Sequence, residues 1–323
     1  MDAALIGLAT GLAAGVVMAR WGLCFNRGVR RALLERRPRV LRAFAIAVGV
    51  QLLALPLLVA LGVAPLERST DAGGLPFLPV AQAAGGVVFG AGMALAGGCV
   101  TGMLWKAGGG QVALAVAIAG FAVGELLIRG PGADLIATLD DAARPSSRGL
   151  PDLLGTAYAP AALVLGAVLL AWLLRRGPRG IVPGVALGAV AALAWVTSEA
   201  AGYGYGLGFV GAADGTRAAL EVGRDLPYQL WLAIGVIAGG ALAGGRRLVL
   251  PDAGRAARAL AGGLLMGAGG SVAHGCNIGH GLTGVPLLSL GSLLATAAMV
   301  AGALAVARLT RKGPARGRPL RRW

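Results

Sequence analysis

The sequence predicts an all-α, polytopic membrane protein of about nine transmembrane helices, folded as two inverted four-span repeats with re-entrant helix breaks. Three observations carry that expectation: an apolar composition, basic links that alternate along the chain, and an internal repeat at one constant offset. The 323 residues are 57% hydrophobic and 13% charged, with a mean hydropathy of +0.76. That leaves too little polar side chain to coat a water-soluble globule. Glycine fills 56 positions, and small residues let helix backbones approach closely in lipid. The net charge of +15 raises the question of nucleic acid. The arginines cluster beside apolar runs rather than on an interleaved basic and aromatic surface, which argues against DNA or RNA as a partner. Three cysteines without a C-x-x-C point to neither a disulfide framework nor a local zinc or thioredoxin motif, so no metal and no cofactor is expected.

Apolar segments of about 17 to 20 residues each suffice to cross a hydrocarbon core of about 30 Å. Nine such segments lie near 2–19, 41–63, 80–97, 111–129, 158–174, 181–197, 228–245, 259–273 and 287–307. The first lacks a basic leader and an A-x-A site, so it reads as a retained span rather than a cleaved signal. The link from Arg20 to Arg42 holds eight arginines and one glutamate, and the next, around Glu67, Arg68 and Asp71, is mixed. Residues 130–157 carry Asp134, Asp140, Asp141 and Asp152, whereas Arg175, Arg176 and Arg179 follow the fifth span. After a mixed link at 198–227, basic residues return at Arg246, Arg247, Arg255 and Arg258 and again in the tail from Arg308, a lipid-facing anchor by composition. With every basic link on the cytoplasmic side, the N-terminus is periplasmic and the C-terminus cytoplasmic.

Shifting residues 86–102 by 177 positions superposes Gly86, Gly90, Ala91, Gly92, Ala96, Gly98, Cys99 and Gly102 on Gly263, Gly267, Ala268, Gly269, Ala273, Gly275, Cys276 and Gly279. The same offset pairs the first span with the sixth and the fourth with the ninth. Four spans, a bridging span and four more give halves of opposite orientation, the inverted repeat of many transporters. The expected divisions are 1–130 for the first repeat, 131–177 for a periplasmic loop and the bridging span, 178–308 for the second repeat, and 309–323 for a basic cytoplasmic tail.

Each repeated motif places a cysteine among glycines just past an apolar helix: GGCVTG at 97–102 and HGCNIG at 274–279. About twelve residues then precede the next span, too few for a folded external loop. Irregular backbone at membrane depth is tolerated where protein buries it or where it lines a cavity, so the two breaks are expected to meet around a pathway. Cys99 and Cys276 would mark its narrow part, and Cys24, which has no counterpart at the 177-residue offset, one mouth. A thiol in apolar surroundings is expected to be neutral S–H at pH 7, a weak donor with a polarizable sulfur. Gly98, Thr101, Gly102, His274, Gly275, Asn277, Gly279 and His280 would support the pathway by shaping the turns or contacting what passes. Asn26 and Thr283 are read as partners for freed backbone groups. Glu125, four residues before Arg129, reads equally as a proton carrier or as half of a helix ion pair. Lys106 and Arg27 are expected to face the cytoplasmic side or to snorkel, with drawing anions as the alternative for either.

The stretches GLCFNRGVR (22–30), FGAGMALAGGCVTG (89–102) and MGAGGSVAHGCNIGHGLTG (266–284) resemble the signatures of the YeeE/YedE sulphur-transport family, and the similarity runs over nearly the whole chain. The resemblance implies a multi-pass protein of the bacterial cytoplasmic (inner) membrane that takes up thiosulfate and is not an enzyme. It implies an ion relayed by S–H contacts from Cys24, Cys99 and Cys276, and a separate cytoplasmic TusA-like sulfurtransferase as acceptor. Competing readings are transport of another sulfur or selenium compound, a membrane thiol oxidoreductase, and a soft-metal permease using Met93, Met103, Met266, His274 and Cys276. The missing C-x-x-C weighs against the oxidoreductase, and the absence of a methionine ladder against the permease.

Overall fold

The structure, a computed structural model, describes residues 2–63, 76–146, 149–245 and 248–310. Glu67, Arg68, Asp71, Arg246, Arg247 and the tail beyond residue 310 lie outside these. All nine predicted spans are helices: α1 (Ala3–Trp21), α3 (Arg39–Ala60), α4 (Pro79–Ala96), α6 (Val112–Arg129), α9 (Tyr158–Arg175), α10 (Ile181–Ala200), α12 (Tyr228–Ala243), α13 (Ala253–Val272) and α14 (Leu290–Leu309). Between them run the shorter α2 (Phe25–Leu34), α5 (Val100–Gly108), α7 (Ala133–Asp141), α8 (Leu150–Leu154) and α11 (Ala212–Val222), and a π-helical turn at Gly279–Gly284. Seven of the long apolar stretches are sufficient by length and hydropathy to cross a bilayer. The other two predicted spans are α12, which is 16 residues long, and α13, which opens on Arg255 and Arg258. The protein is an all-α, polytopic membrane protein.

The helix contacts come in pairs exchanged by the 177-residue offset. α1 packs on α12 as α3 packs on α10, and α6 packs on α13 as α4 packs on α14. Two pairs cross their own equivalents, α4 with α13 and α1 with α10. At the first crossing a Cβ on Gly92 would lie 2.6 Å from Gly262 O, and one on Gly85 would lie 2.6 Å from Gly269 O. Residue numbers rise along α4 as they fall along α13, so the equivalent helices run antiparallel and the repeat is inverted. Only glycine permits backbones this close, and in lipid such contact replaces the hydrophobic drive between helices. α9 packs chiefly on α3, with Gly49 under Leu170 and Gly166 under Leu52.

Both predicted breaks are present and share one construction. α4 stops at Gly97, which takes the left-handed conformation at φ 78°, and α13 stops just before His274 at φ 59°, the residue 177 positions on. The chain then reverses into a short helical segment with the cysteine at its N-cap. At nine residues α5 is about 13 Å long, less than half a bilayer core, so it ends within the thickness of its neighbours.

Candidate functional site

Cys24 lies between α1 and α2 because Gly22, left-handed at φ 64°, ends α1 and leaves Cys24 extended as the N-cap of α2. Two side chains fix this turn: Asn26 Nδ2 donates to Met93 O at 2.7 Å, and Trp105 Nε1 donates to Leu23 O at 3.1 Å. They bring Cys24 against Cys99, whose thiol donates to Cys24 Sγ at 3.8 Å. Thr101 Oγ1 lies 3.6 Å from Cys99 Sγ, and the Gly102 N–H donates to the same sulfur at 3.4 Å. Lys106 Nζ donates toward Cys24 Sγ at 3.6 Å and sits 5.6 Å from the Trp105 ring centroid. Both thiols are fully buried and Lys106 is 5% exposed. Gly102 is where the two sulfurs need room, since a Cβ there would sit 2.7 Å from Cys24 Sγ and 3.1 Å from Cys99 Sγ.

The second break repeats the cap. Gly279 N–H donates to Cys276 Sγ at 3.4 Å, matching Gly102 and Cys99. Backbone N–H groups of Ile278 and Phe209 also face this sulfur. His280, predicted to contact an anion or fix the turn, does the second: Nε2 lies 2.8 Å from Ala273 O and Nδ1 lies 3.0 Å from Ser292 Oγ. A carbonyl only accepts, so Nε2 carries the proton and the Ser292 hydroxyl donates to Nδ1. Gly275 fits beneath this ring, where a Cβ would come within 2.7 Å of Nε2. Tyr205 Oη donates to Gly279 O at 2.9 Å, Thr283 Oγ1 donates to Leu207 O at 2.8 Å, and Gln51 Nε2 donates to Leu282 O. Asn277 is 1% exposed, and neither its amide nitrogen nor its oxygen has a hydrogen-bond partner among the described residues. Gly98 packs beside Met103 without the tight contact that Gly275 requires.

His274 departs from the cluster. Its ring is exposed and pairs with Asp140 of α7 at 2.9 Å, so it takes no part around Cys276 and cannot complete a soft-metal set there. All three cysteines share one contiguous buried cluster with Met93, Met103, Met266 and Phe209. Phe209 also borders an apolar cavity of about 330 Å³ beside Val100, Met103 and Phe121.

Two polar residues sit elsewhere than their sequence positions suggested. Lys106 neither snorkels nor faces a link; it is folded onto Cys24, because α5 turns back into the protein and carries it inward. A lysine seven residues after Cys99, on the same helix face, was the available signal. Glu125 and Arg129 form no ion pair among the described residues. Glu125 Oε1 instead accepts from Asp214 N at 3.1 Å, satisfying an N–H at the N-terminus of α11, while Oε2 and Arg129 Nε are buried without hydrogen-bond partners among the described residues. Tyr205, Gln51, Phe209 and Ser292 carried no sequence signal, since their contacts join residues far apart in the chain.

An inverted repeat whose two equivalent helix breaks each cap a short helix with a buried thiol defines a polytopic membrane protein with a cysteine site inside the bundle. Residues 22–180 and 169–305 each match the family model described as Sulphur transport, and the chain belongs to this YeeE/YedE sulphur-transport family. It is 29% identical over 331 residues to the thiosulfate transporter TsuA of Escherichia coli (strain K12), covering 92% of both chains. It is 28% identical over 321 residues to the thiosulfate transporter TsuA of Spirochaeta thermophila, covering 92% of this chain and 96% of that one.

Proposed function

We propose that the protein carries thiosulfate inward across the bacterial cytoplasmic membrane, relayed between neutral thiols at Cys276, Cys99 and Cys24. One observation supports this most: two cysteines 177 residues apart cap equivalent helix breaks with the same 3.4 Å contact and share one buried cluster with a third thiol. A thiol offers a weak S–H donor to a soft sulfur atom, and several weak contacts share a passing charge without holding it. Under the predicted topology, residues 1–130 and 178–308 are the two repeats, and residues 131–177 are the periplasmic loop and bridging span. Cys276 then lies toward the periplasm, and Cys24 and Cys99 toward the cytoplasm. A separate TusA-like sulfurtransferase would take the sulfur there. The relatives named thiosulfate transporters favour this substrate over copper, and the pairing of His274 with Asp140 weakens the metal reading further.

The test is uptake of radiolabelled thiosulfate into proteoliposomes, with and without an imposed proton gradient and with copper uptake measured alongside. Cys99→Ser and Cys276→Ser at normal membrane abundance should lose most thiosulfate uptake. Full transport by the serine variants would remove the special role of sulfur, and copper uptake in place of thiosulfate would replace the substrate.

A further inference from the structure

Resting on that reading, we propose that Lys106 is the counter-charge for the permeating anion. It would make the Cys24–Cys99 pair the one charged station in an otherwise neutral path and restrict cargo there to negatively charged sulfur species. A buried ammonium without a carboxylate is costly in a low-dielectric interior, and an ionisable side chain at membrane depth calls for a named partner. Lys106 is 5% exposed, and no ion pair among the described residues includes it. Its polar neighbour is the Cys24 sulfur, which accepts from Lys106 Nζ at 3.6 Å and from the Cys99 thiol at 3.8 Å. Thr101, 3.6 Å from Cys99 Sγ, adds a hydroxyl to the same cluster. Ammonium, hydroxyl and two sulfurs thus converge where Gly102 leaves out a Cβ. An anion with both oxygen and sulfur atoms matches that set: oxygens toward the ammonium and hydroxyl, sulfur toward the thiols.

The second half lacks this charge. The residue 177 positions on from Lys106 is Thr283, whose hydroxyl is already committed to Leu207 O at 2.8 Å. The unpartnered polar group beside Cys276 is the neutral amide of Asn277. Among the described residues the inverted repeat therefore supplies two similar thiol caps with a cation in hydrogen-bond contact at the Cys24–Cys99 pair and none at Cys276, so the two stations differ in the charge they tolerate.

The experiment measures binding and flux separately. Thiosulfate, and uncharged dimethyl sulfide as control, are titrated against the purified full-length protein in detergent and read as a shift in thermal unfolding. Wild type is compared with Lys106→Gln, with Lys106→Met, which keeps an unbranched stem, and with Lys106→Arg, which keeps the charge. Thiosulfate should stabilise wild type and Lys106→Arg. In the Gln and Met variants its dissociation constant should rise about tenfold or more, the size of one lost charge-assisted hydrogen bond. In proteoliposomes the same loss should appear as a raised half-saturating concentration with a maximal rate within about threefold of wild type. Equal binding by Lys106→Gln or Lys106→Met and wild type overturns the assignment while leaving thiosulfate transport standing, whereas absence of both thiosulfate binding and flux in wild type overturns the two together. Binding that depends on Lys106 without any flux overturns the transport reading, and with it the permeating role, and leaves Lys106 as the ligand of a bound anion. If the Gln variant fails to fold, the Met variant decides.

Discussion

Adding one methyl group at Gly102 and one at Gly279 should have opposite consequences, although the two positions are equivalent in the repeat. At Gly102 the new Cβ would stand 2.7 Å from Cys24 Sγ and 3.1 Å from Cys99 Sγ, both fully buried. Ordinary contact is about 3.5–4 Å, so the Cys24 sulfur must retreat by about 1 Å. The Cys24 turn is held on two sides, by Asn26 to Met93 O and by Trp105 to Leu23 O, which opposes the retreat. Overpacking of this kind costs about 1–3 kcal/mol. At Gly279 the nearest atoms to a new Cβ are Cys276 Sγ and a Tyr205 ring carbon, both at 3.9 Å, so the methyl group fits. Replacing a helical glycine by alanine gains up to about 1 kcal/mol at either site, and that gain cancels in the comparison. Gly102→Ala should therefore be less stable than Gly279→Ala by about 1–3 kcal/mol, roughly fivefold to 150-fold in the folded-to-unfolded ratio. Denaturation of both variants in the same detergent measures this difference, and thiosulfate uptake should follow it. Equal stability of the two alanine variants, or a Gly279→Ala that is the worse of the pair, would refute the steric account of the thiol cluster.

Other substitutions separate structural from functional polar groups. His280→Ala should lower stability by about 1–3 kcal/mol in the same denaturation experiment, because it strands Ala273 O and the Ser292 hydroxyl in a buried setting. His274→Ala, which removes only an exposed contact to Asp140, should change stability by less than about 1 kcal/mol; a larger loss would mean that the pair has a structural role its exposure does not suggest. Glu125→Gln keeps an acceptor for Asp214 N and should hold the start of α11, whereas Glu125→Ala should release it. Hydrogen exchange at residues 212–216 reads the difference, and equal protection in the two variants would show that the carboxylate does not anchor α11.

The nine helices were legible because each is a local apolar run, and the breaks because glycine-rich stops recur at one offset. The inversion was legible too, since an odd number of spans separates the halves, and the antiparallel crossing at Gly85, Gly92, Gly262 and Gly269 bears it out. The shared cap geometry of Cys99 and Cys276 follows from the same repeat. What the sequence did not carry is tertiary proximity. The repeat offset gives Cys24 no counterpart and no neighbour, and the structure sets it against Cys99 across 75 residues of chain. The folding back of α5 that buries Lys106 depends on its contacts with α12, and nothing local to WKAGGG announces them. His274 was read beside Cys276 because adjacency in sequence was the only guide. The left-handed backbone at position 274 swings the side chain outward instead.

That left-handed position also shows how the duplicated scaffold tolerates divergence. Gly97 and His274 stop equivalent helices in the same conformation, one without strain and the other as a non-glycine residue tied to Asp140. The caps kept Cys99 with Gly102 and Cys276 with Gly279, because each sulfur accepts from the third N–H of the segment it begins. Surrounding residues differ, in charge at Lys106 against Thr283 and in polarity at Val100 against Asn277. An inverted repeat with identical stations would hold an anion equally at both ends. If the two thiol caps are the stations proposed above, a cation beside the Cys24–Cys99 pair would make them unequal in affinity for an anion, and that inequality would reside in these side chains rather than in the backbone that positions them.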